Sequence, residues 1–145
     1  MSDLVATSSV TVKASPSAVW HAITDPATIA KYYFGTKVET DWRVGSPIAW
    51  SGEYEGKAYR DHGTILDLSP EHLLRHTHFS PLSGREDIPE NYHTLDWRLE
   101  PEGDETRVTL SQDNNDDYDS VKHSEQNWTM VLDGLKKVVE SSQRS

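Results

Sequence analysis

Apolar residues in the last long segment, Asp119 to Glu140, recur at the steps of one buried helical face. Val121, Trp128, Val131, Leu132, Leu135, Val138 and Val139 are spaced mainly three, four or seven apart. What precedes them is mostly short alternating runs divided by turn residues, the pattern of antiparallel sheet. Ser8 to Ala14 alternates as a first strand, with Val10 and Val12 facing one way and Thr11 and Lys13 the other. Ser15-Pro16 then opens a helix, serine as N-cap and proline at the first helical position, with Val19, Trp20 and Ile23 as its buried side. Thr24-Asp25-Pro26 breaks it and starts a second short helix through Ala30 and Lys31. The pair resembles a helix-turn-helix only in outline, because it lacks a basic recognition helix.

Strand signals follow at Thr36–Thr40, Ser46–Ser51, Lys57–Leu68, Leu73–Ser80, Tyr92–Glu100 and Thr106–Gln112. Turns separate them at Gly45-Ser46-Pro47, Gly52 to Gly56, Ser69-Pro70 and Pro101 to Asp104. Pro81 to Asn91 is too long for an ordinary hairpin loop and reads as either a lid over a site or a surface insertion. His93, Leu95, Trp97 and Leu99 share one face of their strand while Thr94, Asp96 and Arg98 share the other. Val108, Leu110 and Gln112 likewise oppose Arg107, Thr109 and Ser111. A sheet with one dry and one wet face must cover the dry one, and the long C-terminal helix is the partner available. The pattern therefore predicts a single α+β domain over residues 1–145, a curved antiparallel sheet wrapped on that helix, with a cavity between them.

Composition narrows the function classes. The formal net charge is -10, which argues against nonspecific binding to nucleic acid or to an anionic membrane. No cysteine is present, so disulfides, thiolate catalysis and cysteine-ligated zinc are excluded. Met1 to Ser9 lacks a basic patch followed by an apolar run, and no membrane-length apolar stretch occurs, so the cytoplasm is the expected location.

Val19-Trp20 through Thr24-Asp25-Pro26, Tyr33-Phe34-Gly35, Trp42 to Gly45, Gly63 to Asp67, Leu73-Leu74 to Thr77, and Trp128 through Leu132 and Leu135 follow a known order. Across nearly the whole chain they resemble the helix-grip (SRPBCC) superfamily of START-like lipid-transfer domains, polyketide cyclases and Bet v 1-like proteins. More narrowly, the chain is similar to the branch named for the carboxy-terminal domain of the activator of the Hsp90 ATPase. Two positions depart from the pattern: His78 stands where that branch usually has an aromatic, and Ser46 where families of this fold have a second glycine. The resemblance implies a pocket between helix and sheet for a hydrophobic or amphipathic small molecule. Tyr33, Phe34, Trp50, His78, Trp97, Trp128 and Leu132 are its candidate lining. Each aromatic has ordinary core packing as its alternative role, Trp128 above all.

The histidines are the candidates for chemistry. His76 and His78 lie two apart on one predicted strand and so share the face of Leu74, where either is a possible acid–base group. His93 is within reach across the sheet and His62 lies on the preceding strand. No His-Glu-x-x-His or comparable spacing supports a metal, and no cofactor motif is present. Asp113, Asn115 and Asp117 match the start of a calcium loop, but Tyr118 replaces its glycine and Ser124 its bidentate glutamate. Helix initiation by Asp117 or Asp119 is the better reading. Three functions remain open: noncatalytic small-molecule binding, regulation of a chaperone ATPase in stress response through a protein surface, and cyclase- or hydratase-like catalysis by His76 or His78. The first is expected, with no enzymatic activity; the ligand and the oligomeric state are not specified by the sequence.

Overall fold

The computed structural model describes residues 4–143; the ends of the predicted 1–145 span, including Met1 to Asp3, lie outside the described residues. Its elements are β1 (Ala6–Val12), α1 (Pro16–Thr24), α2 (Pro26–Tyr32), β2 (Lys37–Glu39), β3 (Pro47–Tyr54) and β4 (Lys57–Ser69). After these come β5 (Leu73–His78), β6 (His93–Glu102), β7 (Glu105–Gln112) and α3 (Tyr118–Gln143). The strands form one antiparallel sheet in the order β1-β7-β6-β5-β4-β3-β2, wrapped around α3: a helix-grip α+β fold.

Side-chain caps set the helix boundaries. Ser15 Oγ accepts from the Ala18 N–H at 3.2 Å, and the Asp25 carboxylate accepts from the Thr28 N–H at 3.2 Å and its hydroxyl at 2.6 Å. Asp25 thus ends α1 and starts α2 in a single residue. For α3 the cap is Asp117, which accepts from the Ser120 N–H at 2.8 Å, while Asp119 sits in the positive first turn. Asn115, read from sequence beside a calcium-like pattern, donates instead to the Leu4 and Gln112 carbonyls.

The first strand lies two residues earlier than its alternation predicts. Pairing with β7, from Ala6 opposite Gln112 to Val12 opposite Thr106, decides its extent. At Ala14 the chain turns away, its N–H on Val12 O and its carbonyl accepting from the Thr106 hydroxyl at 2.8 Å.

The inward faces of the strands and the stripe of α3 form one core. Ile48, Trp50, Ile65, Leu74, Leu95, Trp97, Leu99, Val108 and Leu110 are buried against Trp128, Val131, Leu132, Leu135 and Val139. At about 1.5–3 kcal/mol per large apolar side chain, this contact is the main favourable term of the fold. Val121 and Val138, at the edges of the stripe, are only partly buried. Edge strand β1 is also bonded to α3 along its length. The N–H groups of Thr7 and Lys13 donate to Glu125 and Glu140, and Lys136 Nζ donates to Thr11 O at 2.8 Å. On the outer face, Asp96 accepts from Arg75 at 2.9 Å and Arg98 at 2.7 Å.

One glycine is required by close approach. A Cβ on Gly63 would lie 1.9 Å from the Thr77 carbonyl oxygen on the neighbouring strand. Backbone cannot rotate out of the way as a side chain can. Gly63→Ala is therefore expected to lower stability by roughly 3 kcal/mol or more, read as a fall in the urea midpoint. An unchanged midpoint would show that β4 and β5 separate at little cost.

Candidate functional site

Two spaces along the inner side of the sheet bear on ligand binding, an apolar part and a polar part. The apolar part, between the sheet and α1–α2, holds about 30 Å³, lined by Tyr33, Trp42, Trp50, His76 and Trp97 with aliphatic neighbours. That is room for a water molecule and not for a ligand. The second part, about 280 Å³, lies at the polar end of the inner face and is lined by His78, Ser83, Arg85, His93 and Asn114 among others.

Strand alternation builds the polar end. Asp61 shares the inward side of β4 with Gly63 and Ile65, His78 that of β5 with Leu74, and His93 that of β6 with Leu95. His78 and His93 are opposite each other in register, their rings 6.5 Å apart and stacked. His78 Nε2 lies 2.9 Å from Asp61 Oδ2, so the imidazole donates there. A neutral His78 then keeps its other nitrogen as an acceptor. Asp61 Oδ1 is buried without a hydrogen-bond partner. His93 Nδ1 is 2.8 Å from the Asp113 carbonyl and donates to it, which fixes the ring. Trp50 lines the apolar cavity, its ring 5.0 Å from that of His76 and 5.1 Å from that of His78.

His76 and His78 thus share a face, as alternation predicts, but not an environment. His76 is buried, with Nδ1 3.0 Å from the Thr77 carbonyl. Burial pushes its pKa down to about 4, so the ring is neutral at pH 7. Trp97 Nε1, in the wall of the same small cavity, is a buried donor with no partner. Burial, followed by the nearby Asp61 charge, raises the Tyr33 phenol above its ordinary range.

The remaining candidates separate. Tyr33, Trp50 and Trp97 line the small apolar cavity. Trp128 is a packing residue, its indole N–H donating to Gln112 Oε1 at 2.9 Å, and Leu132 is 1% exposed inside the core. Phe34 corrects the expected lining: it is 58% exposed, because the chain turns at φ 54 there and carries its ring outward. His62 faces the opposite side of the sheet, 3.2 Å from Asp87 of the long link. Tyr92 also donates to Asp87, at 2.5 Å, and Arg85 pairs with Asp116. The link between β5 and β6, which contains two 3₁₀ turns, is therefore tied down beside the compartment.

Asp61 and Arg85 were not singled out by the sequence reading. Asp61 was legible in principle, two residues from Gly63 on an alternating strand, whereas Arg85 lies in a link with no period. Among the described residues no cluster of three or more histidine or carboxylate groups is placed to hold a metal ion. No helix among them is long and apolar enough to cross a membrane.

The family model described as "Activator of Hsp90 ATPase homolog 1-like protein" matches residues 13–140. The chain belongs to this family. It is similar to ChR145 from Cytophaga hutchinsonii at 43% identity, covering 100% of this chain and 99% of that one, with a TM-score of 0.86. The Aha1 dimer from Colwellia psychrerythraea is 21% identical over 94% of this chain and 96% of its own, with a TM-score of 0.74. CalU16 from Micromonospora echinospora is 21% identical over 97% and 87%, with a TM-score of 0.71; these last two show the fold alone. No curated protein matches the chain.

Within this family member, the burial of His76 has a measurable consequence. Between its ordinary value of 6.5 and its depressed value of about 4, the unfolded chain binds a proton that the folded chain refuses. Its contribution to stability is thus complete above pH 6.5 and is lost as the pH falls through that window. His76→Gln is expected to remove close to one proton's worth of the slope of unfolding free energy between pH 6.5 and 4. Urea titrations at pH 7, 6 and 5 measure it, and an unaltered slope would mean that His76 titrates normally.

Proposed function

We propose that the chain binds a small amphipathic molecule at the polar end of the helix grip and carries out no reaction on it. The compartment of about 280 Å³ beside His78 and His93 carries this reading, since the apolar interior offers only about 30 Å³. His78, held by Asp61, and His93, held by Asp113, present oriented polar groups, and Arg85 with Asp116 forms the rim. Affinity would come from enclosure and orientation from these groups.

Native mass spectrometry of gently purified protein, with a denatured control, is the direct test. A ligand present at a hundred times its dissociation constant adds about 2.7 kcal/mol of stability, enough to raise the Tm by roughly 5–10 °C. His78→Gln and Arg85→Ala are each expected to weaken a bound compound about tenfold. A bare mass and no thermal shift with a panel of amphipathic compounds would remove the proposal. A carboxylate-oriented imidazole also has the parts of a general base, so turnover of a bound compound that disappears in His78→Gln would convert binding into catalysis.

The nearly filled apolar interior and the family description together favour a second reading, contact with a chaperone ATPase of the Hsp90 type through the acidic outer surface. Its test is a pull-down with the chaperone's middle domain at low salt, where charge attraction is least screened. Retention that fades with added salt supports it; no retention at low salt counts against it.

A further inference from the structure

At the end of the molecule away from His78, α1, α2 and the last turns of α3 enclose an open groove of about 920 Å³. Its apolar lining includes Ala18 and Ala22 of α1 and Val138 and Val139 of α3, with Ala22 and Val139 themselves buried. Lys31 from α2 and Lys137 from α3 also line it, with the His21 imidazole and several hydroxyl groups. The charge is the unexpected property. The chain has 24 acidic residues against 14 lysines and arginines, yet among the described residues no side-chain carboxylate lines this groove. Neither lysine is ion-paired among the described residues, whereas neighbouring Lys136 is neutralised by Glu140 at 2.6 Å. Asp25, the nearest acid influenced by Lys31 and His21, is held by the Thr28 hydroxyl and N–H.

An apolar floor with two unpaired cations at its wall, on an otherwise acidic protein, has one complementary class of occupant. We infer that this groove is a second binding site, taking a small amphiphile with a single anionic head, a carboxylate or a phosphate monoester. Lys31 and Lys137 hold the head and the apolar body lies on Ala18, Ala22, Val138 and Val139. Lys31 in the last turn of α2 and Lys137 near the end of α3 offset the repulsion of an anion by the helix C-terminal carbonyls there. The groove is open, so head charge rather than size sets the selectivity. The site is separate from the His78 compartment and does not depend on the reading given to that compartment.

The test is a nitrogen-15 NMR titration of the full chain with octanoate, octyl phosphate and neutral octanol. Octanoate or octyl phosphate is expected to shift the amides of Ala18, Thr28, Lys31 and Lys137 together, and octanol at least tenfold more weakly. The ratio between the two anions identifies the head the site prefers. Lys31→Gln with Lys137→Gln is expected to weaken the anionic probe at least tenfold while leaving the His78 and His93 amides unchanged. Because both lysines are on the rim rather than in the core, the double variant tests charge and not folding. Anionic probes that shift only amides around His78 and His93 would overturn the inference, as would equal binding of octanol and octanoate, or full binding by the double variant. Absence of all shifts at millimolar probe would also end it, while leaving the His78 compartment to its own test.

Discussion

Burial of one stripe of α3 against the inner face of the sheet is the interaction on which everything else depends. A sheet of this length with an apolar inner face and a 26-residue helix with Val131, Leu132 and Leu135 on one side cannot remain separate in water. The sheet must curve to meet the helix, and edge strand β1 closes onto it through Glu125, Lys136 and Glu140. Those bonds also occupy backbone groups that an open edge would present to other chains.

The way that contact is filled determines where a small molecule can go. Trp50, Trp97, Trp42 and the two tyrosines of α2's end occupy the centre, leaving about 30 Å³. At the other end of the inner face the residues change from aliphatic to polar within two positions of each strand. Leu74 and His76 give way to His78, and Leu95 to His93. Packing weakens where hydrogen bonding takes over, and the larger space is found there. Trp50 lines the filled centre and also packs near His78, which lines the larger space.

Electrostatics divides the molecule differently. The acidic surplus lies on much of the surface, including the α3 amino terminus, where Asp117 and Asp119 complement the helix dipole. Among the described residues, the groove at the opposite end has no lining side-chain carboxylate and carries two lysines without an ion pair. Net charge alone conceals this local reversal, because it records the sum and not the distribution.

Much of the architecture was legible in the chain. Period-two alternation in β6 and β7, the three-and-four spacing of α3, and the Ser15-Pro16 and Asp25-Pro26 starts are local physical rules. Each of these segments obeys them almost independently of its neighbours. Alternation also placed His76 and His78 on one inner face. It could not separate them, since their different fates depend on the burial of His76 and on Asp61, which reaches His78 from another strand. Phe34 shows the same limit: an aromatic beside Tyr33 reads as lining until a positive φ turns it into solvent. The two-residue shift of β1 came from its partner strand, not from its own pattern. Asp61 became part of the site only because β4 sets it within 2.9 Å of His78, seventeen positions away. Sequence by itself determined the elements and their buried faces, because periodicity and capping act over a few residues. Only the tertiary structure decided the size of the cavity, the position of its polar end and the pairing of its charges, because those depend on ångström-scale contacts between residues far apart in the chain.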